Sequence, residues 1–330
     1  MPVDNTSRPR LFDHQVARKP NYYPWTESIK EAMWHNPWTA FKFKFDTDVT
    51  DFRLNLSDEE RQVIVRCLAA IAQIEVAVKT FWSRLGDNLP HPSIAGLGTV
   101  MAGIEEIHNH AYERLLDKLG LDDIQAGLLD VPAIAGRVSY LNKHNTKVYG
   151  DDRKQYIYSL ILFTLFVENV SLFSQFYIIL WFNRFENRLK DAAQQVKYTR
   201  NEELLHALAG MKIINTLREE YPELFDEDLE AKICEETEVA FQAEAALIDW
   251  MVGDYDRPRL NASLLKSYVA QRLNESLIGI GYAPQFDVSE EDKQATFWMT
   301  EGLLAPPKVD FFHSEPTGYS EGDMPVDDDF

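Results

Sequence analysis

The chain has 330 residues, enough to bury a large core, and no Gly/Ser/Pro-rich linker divides it, so one main body is expected. A formal charge of −20 and a pI near 4.8 offer no basic stripe to a nucleic acid. The two cysteines, Cys67 and Cys234, have neither zinc nor redox spacing and fit buried small hydrophobes in a reduced, cytoplasmic protein.

Residues 1–50 read as an irregular, aromatic-rich arm with a short helix in NYYPWTESIKEAMWHNPWTAF, and the N-terminus lacks the apolar core of a signal peptide. Residues 51–305 read as one helical body. Ser57, followed three residues later by Glu60, predicts the start of a long first helix. A second, SIAGLGTVMAGIEEIHNHAYERLLDKLG, ends at Gly120, a plausible C-cap. The third runs from DDRKQYIYS through the apolar stretch LFTLFVENVSLFSQFYIILWF, residues 162–182. Length alone would let that stretch cross a bilayer. Glu168, Ser171 and Gln175, however, fall at i, i+3 and i+7 and predict a polar seam on a soluble core helix. A fourth helix, RLKDAAQQVKYTRNEELLHALAGMKIINTLREEYP, stops before Pro222, and two later segments continue the helical period. With no strand-type alternation and no internal repeat, the fold class is all-α, a helical bundle. From Pro306 the sequence turns to Pro, Gly, acid and scattered aromatics, so 306–330 reads as a flexible acidic tail.

Each of the four long helices carries a carboxylate on a largely apolar stretch: Glu75, Glu105 with His108, Glu168, and Glu203 with His206. Glu-x-x-His puts both side chains on one helix face a turn apart, within reach of one metal. The pair alone says little. Composition predicts about one acid three residues before a His by chance, and Asp310 with His313 in the tail is read as such an accident. The specific signal is the set, one Glu from each of two helices and Glu-x-x-His from each of the other two, as in ferritin-like dimetal-carboxylate sites. Four carboxylates would balance two divalent cations, and oxygen and imidazole donors without thiolate suit iron or manganese. The bland alternative is that the four acids pair with Arg or Lys or stay protonated. Tyr112 lies two turns after Glu105 on the same side, as either a cluster neighbour or a core tyrosine. Lys79 follows Glu75 by one turn, pointing inward or snorkelling to the surface. Glu202 adjoins a candidate ligand and could hydrogen-bond a ligand imidazole.

Over essentially its whole length the chain resembles the radical-generating small (β) subunit of class I ribonucleotide reductase. The match is carried by Glu75, Glu105-Glu106-Ile107-His108 with Tyr112, Phe166-Val167-Glu168, and Glu202-Glu203-Leu204-Leu205-His206, with successive carboxylates at separations of 30, 63 and 35. The resemblance implies a ferritin-like fold, a homodimer and two metal ions per chain. It further implies radical transfer through Trp38 and through Tyr319 in the tail, and docking of the acidic end PVDDDF on a separate large subunit that reduces ribonucleotides. Two departures matter. The founding subclass has Asp where this chain has Glu75, and Glu75 with Lys79 resembles subclass Id, which implies a dimanganese cluster activated by superoxide, with Tyr112 a neighbour and not the radical store; iron remains open. Glu202 stands where the family's Trp-Asp-His relay has Asp. A lone ferritin-like oxidase acting on a small apolar substrate and a metal-storage shell are the competing readings, and neither needs an aromatic, acidic tail.

Overall fold

The computed structural model describes residues 8–121, 123–124 and 127–301, with the backbone alone at residues 73 and 75–79. Among the described residues there are twelve α-helices and no strand, only an isolated bridge between Arg257 and Leu260. In chain order these are α1 (Trp25–Trp34), α2 (Asp46–Thr50), α3 (Asp58–Ser83), α4 (Leu85–Asn88), α5 (Pro92–Leu119), α6 (Pro132–Leu141), α7 (Asp152–Leu162), α8 (Phe173–Glu186), α9 (Lys190–Glu220), α10 (Glu227–Val252), α11 (Ala262–Gly279) and α12 (Glu290–Thr296). A π-helical segment, Phe163–Ser171, joins α7 to α8.

The helix ends follow local chemistry. Ser57 and Glu60 form the reciprocal capping box that opens α3: the Ser57 hydroxyl accepts from the Glu60 amide at 3.2 Å, and the Ser57 amide donates to Glu60 Oε2 at 2.8 Å. Pro92 starts α5, and Gly120 ends it in the left-handed region at φ 74°. At the N-terminus of α9, Asp48 accepts from the amides of Asp191 (2.9 Å) and Ala192 (3.1 Å), while Asp51 accepts from Leu189 (3.0 Å). These carboxylates satisfy donors that no intrahelical carbonyl can reach. The aromatic arm is pinned to the other end of α9: Glu220 accepts from Tyr23 Oη and from the Leu11 amide, each at 2.8 Å.

The core is a four-helix arrangement of α3, α5, the π segment with α8, and α9, with α6, α7, α10 and α11 packed around it. Two glycines allow close approach. A Cβ on Gly98 of α5 would lie 2.7 Å from Leu85 Cβ, and one on Gly210 of α9 would lie 2.9 Å from Thr164 Cβ in the π segment.

The structure departs from the sequence reading along the third helix. The segment Asp152–Glu186 has the length and composition of a membrane span, yet nearly all of its most apolar window is buried inside the bundle. It is not a uniform α-helix, because the π turns around Glu168 shift its register. The Ser171 carbonyl faces Arg137 of α6, and Gln175 packs by Cys67 of α3 and Met251 of α10.

Candidate metal centre

Glu105 from α5, Glu168 from the π segment, and Glu203 and His206 from α9 each aim a potential ligand atom at one point, all within 4.8 Å of one another and all buried. Helix periodicity explains the pair on α9: Glu203 and His206 share a face, one turn apart. The pair on α5 behaves likewise, with His108 Nδ1 lying 3.3 Å from Glu105 Oε2 and 3.1 Å from Glu203 Oε1. His206 Nδ1 is 2.6 Å from Glu105 Oε1 and 3.4 Å from Glu168 Oε2. Trp82, fully buried at the end of α3, donates its indole N–H to Glu168 Oε1 at 2.7 Å, which leaves Oε2 turned to the cluster.

Such a concentration of buried acid must be neutralised. Burial, and then the charges of Glu203 and Glu105, push the Glu168 carboxyl well above the ordinary range. Burial works against charge on both imidazoles. Hydrogen bonds to Glu105, Glu202 and Glu203 nonetheless hold His108 well above its usual value, and Glu105, Glu168 and Glu203 do the same for His206. For Glu203 burial is outweighed by hydrogen bonds to the two imidazoles, which depress its carboxyl. Protons alone leave the site incompletely satisfied. Glu105 Oε1, Glu168 Oε2 and Glu203 Oε1 meet nothing but the two imidazoles, and His206 Nε2 is buried with no partner at all. Buried oxygen and imidazole donors converging from three elements, with more carboxylates than imidazoles to balance them, fit divalent cations of the iron or manganese kind.

Behind the cluster runs a second set of contacts. His108 Nε2 meets Glu202 Oε2 at 2.7 Å, and Trp38 Nε1 donates to both Glu202 oxygens, at 3.0 and 2.9 Å. The Trp38 and His108 rings stack with centroids 6.0 Å apart, and Phe43 and Tyr198 close over the indole, leaving it 5% exposed. Thus Glu202, about 100° round α9 from Glu203, joins a candidate ligand to Trp38.

The chain is similar to known proteins over most of its length. Residues 16–294 match the family described as "Ribonucleotide reductase, small chain". The chain belongs to the ribonucleotide reductase small-chain family. A ribonucleoside-diphosphate reductase subunit beta from Treponema pallidum is 21% identical, the alignment covering 93% of this chain and 88% of that protein. The ribonucleotide reductase R2 subunit from Clostridium botulinum superposes with a TM-score of 0.70 at 20% identity, covering 84% of this chain and 87% of that one. An R2-like ligand-binding oxidase with a Mn/Fe cofactor gives 0.69 at 16%, over 82% and 99% of the two chains. These structural likenesses carry the ferritin-like helical fold. The function is that of a ribonucleoside-diphosphate reductase small subunit, an oxidoreductase component that works with a large subunit.

Within this small chain the structure brings together Glu105, His108, Glu168, Glu203, His206, Glu202 and Trp38. Tyr112 is buried two turns beyond Glu105 on α5. Glu75 and Lys79 lie on the backbone of α3 with side chains outside the described residues, as are Tyr319 and the rest of the tail. Sequence reasoning missed Trp82. Its place two turns after Glu75 puts it on the cluster side of α3, but nothing in sequence shows that its N–H reaches Glu168.

Proposed function

We propose that this chain makes an oxidising equivalent at a dimetal centre held by Glu75, Glu105, His108, Glu168, Glu203 and His206, and passes it through Trp38 and Tyr319 to the large subunit. The contact chain from the cluster through His108 and Glu202 to Trp38 carries this reading. Bound there, two metal ions supply the redox change that none of these side chains provides. Glu202 holds both the His108 Nε2 proton and the indole N–H, so loss of an electron from Trp38 finds a proton acceptor already in contact. A lone oxidase acting on its own substrate has no use for such a path.

Manganese is favoured and iron is the alternative. The donor set accepts both, and Glu75 with Lys79 resembles subclass Id, in which Tyr112 neighbours the cluster without storing the radical. The tail, 306–330, is the docking segment for the large subunit and Tyr319 its relay residue. A homodimer in the cytoplasm completes the reading.

The test loads the protein separately with manganese and iron, with metal analysis and electron paramagnetic resonance, and compares Trp38→Phe, Tyr319→Phe and Tyr112→Phe. The first two should keep two metals per chain and bind the large subunit while nucleotide reduction falls to background. Tyr112→Phe should stay active. Full reduction by Trp38→Phe or Tyr319→Phe would overturn the path; a tyrosyl radical formed with iron and lost in Tyr112→Phe would overturn the subclass.

A further inference from the structure

Glu168 reaches the cluster from a π-helical segment, and π turns are a rare, poorly bonded conformation that needs outside support. Here the support comes from two arginines. Arg272 of α11 donates from Nε to the Asn169 carbonyl at 2.8 Å and from Nη2 to the Asn169 side-chain oxygen, while its guanidinium lies 3.7 Å over the Phe173 ring. The Asn169 amide in turn donates to Ser276 Oγ at 2.7 Å. Thus the residue next to Glu168 is held at both backbone and side chain.

Arg137 of α6 takes the far end. Its Nη2 donates to the Ser171 carbonyl, where the π segment stops, and its Nη1 donates to the Ala70 carbonyl of α3 at 2.9 Å. Glu244 of α10 balances the charge, 3.3 Å from Arg137 Nε and accepting from Tyr140 Oη. Both members of this ion pair are 0% exposed. A buried ion pair of this kind adds little stability over apolar residues of the same volume, so its worth lies in the geometry it enforces. That geometry joins the backbone of α3, a turn and a half before Glu75, to the segment that carries Glu168.

We propose that Arg272 and Arg137 are positioning residues that hold Phe163–Ser171 in its π register and thereby place Glu168 in the cluster at a fixed distance from α3. The inference rests on Glu168 being a metal ligand, as proposed above. Without the arginines the segment relaxes toward α-helical bonding, each later side chain rotates, and Glu168 leaves the point where the four ligand atoms meet.

Arg272→Met keeps most of the stem packed over Phe173 and removes the donors; Arg272→Lys keeps the charge and one donor but not the two-pronged contact. Three readings are taken on wild type and variants: manganese per chain after loading, the paramagnetic spectrum, and amide exchange of residues 163–171 in metal-free protein. Wild type should bind two ions. Arg272→Met should fall to about one, with a changed spectrum and exchange across 163–171 at least tenfold faster while α9 is unaltered; Arg272→Lys should lie between. A merely structural arginine would lower the melting temperature and leave stoichiometry and spectrum alone, and folded Arg272→Met with two ions, the wild-type spectrum and unchanged exchange overturns the proposal. Should Arg272→Met not fold, Arg272→Lys decides by the same criteria. Wild type binding no metal would overturn the dimetal reading instead, and the exchange of 163–171 would still decide the register.

Discussion

His108 shows how much one side chain can fix. Its Nε2 is engaged by Glu202 and its Nδ1 faces Glu105 and Glu203, so in the neutral ring the proton sits on Nε2 and the Nδ1 lone pair points to the cluster. That arrangement was legible in the sequence because Glu202 adjoins Glu203 and Glu-x-x-His spacing is fixed by the helix. The Trp82 bond to Glu168 was not, since it depends on how α3 and the π segment cross. Asp48 poses a different residue-scale question. It is fully buried at the start of α9, and burial, with the charges of Asp191 and Asp51, raises its carboxyl to about 6 despite the backbone amides it accepts from. Because the folded value lies above the unfolded one, the contribution of this group is fully present below pH 4 and is lost as pH rises through about 6. The loss amounts to about 3 kcal/mol at most. Asp48→Asn should therefore gain on wild type between pH 4 and 7 in urea unfolding, and parallel curves would refute the assignment.

At the scale of elements, the helices whose ends carry their own chemistry were readable: the capping box at Ser57, the left-handed Gly120 and the stop before Pro222 all stand where the sequence puts them. The π segment was not readable. Five of its nine residues are apolar and suit a buried α-helix equally well, and the partners that meet it, from α6, α9 and α11, lie outside it in sequence. Gly210 belongs to the same contact. An added methyl group would overlap the Thr164 side chain, and neither buried helix has room to withdraw. Gly210→Ala should cost about 1–3 kcal/mol, the usual penalty for overpacking a core. It should also weaken metal retention, because α9 and the π segment carry Glu203, His206 and Glu168. Thermal unfolding of the metal-free protein and metal analysis after gel filtration would check the two effects separately.

For the molecule as a whole, α5, the π segment and α9 each present acid to a shared interior, and under the proposed function cations would act there as part of the core. Loading should raise stability by about 2.7 kcal/mol when free metal stands at 100 times its dissociation constant, and chelation should remove that gain. A melting temperature indifferent to metal would contradict it. Uptake should also release protons, because Glu168, His108 and His206 all hold theirs more tightly than usual in the metal-free site. The most apolar part of the chain, Asp152–Glu186, bears on how the protein comes into being. Of the helices that cover it, α3 and α6 precede it, but α9, α10 and α11 are encoded after it. A ribosome adding roughly 5–20 residues per second leaves this stretch only partly covered for about 5–20 s before the last of them is made. During that interval the growing chain displays an apolar segment with the length and composition of a membrane span, shielded by no more than the helices already made.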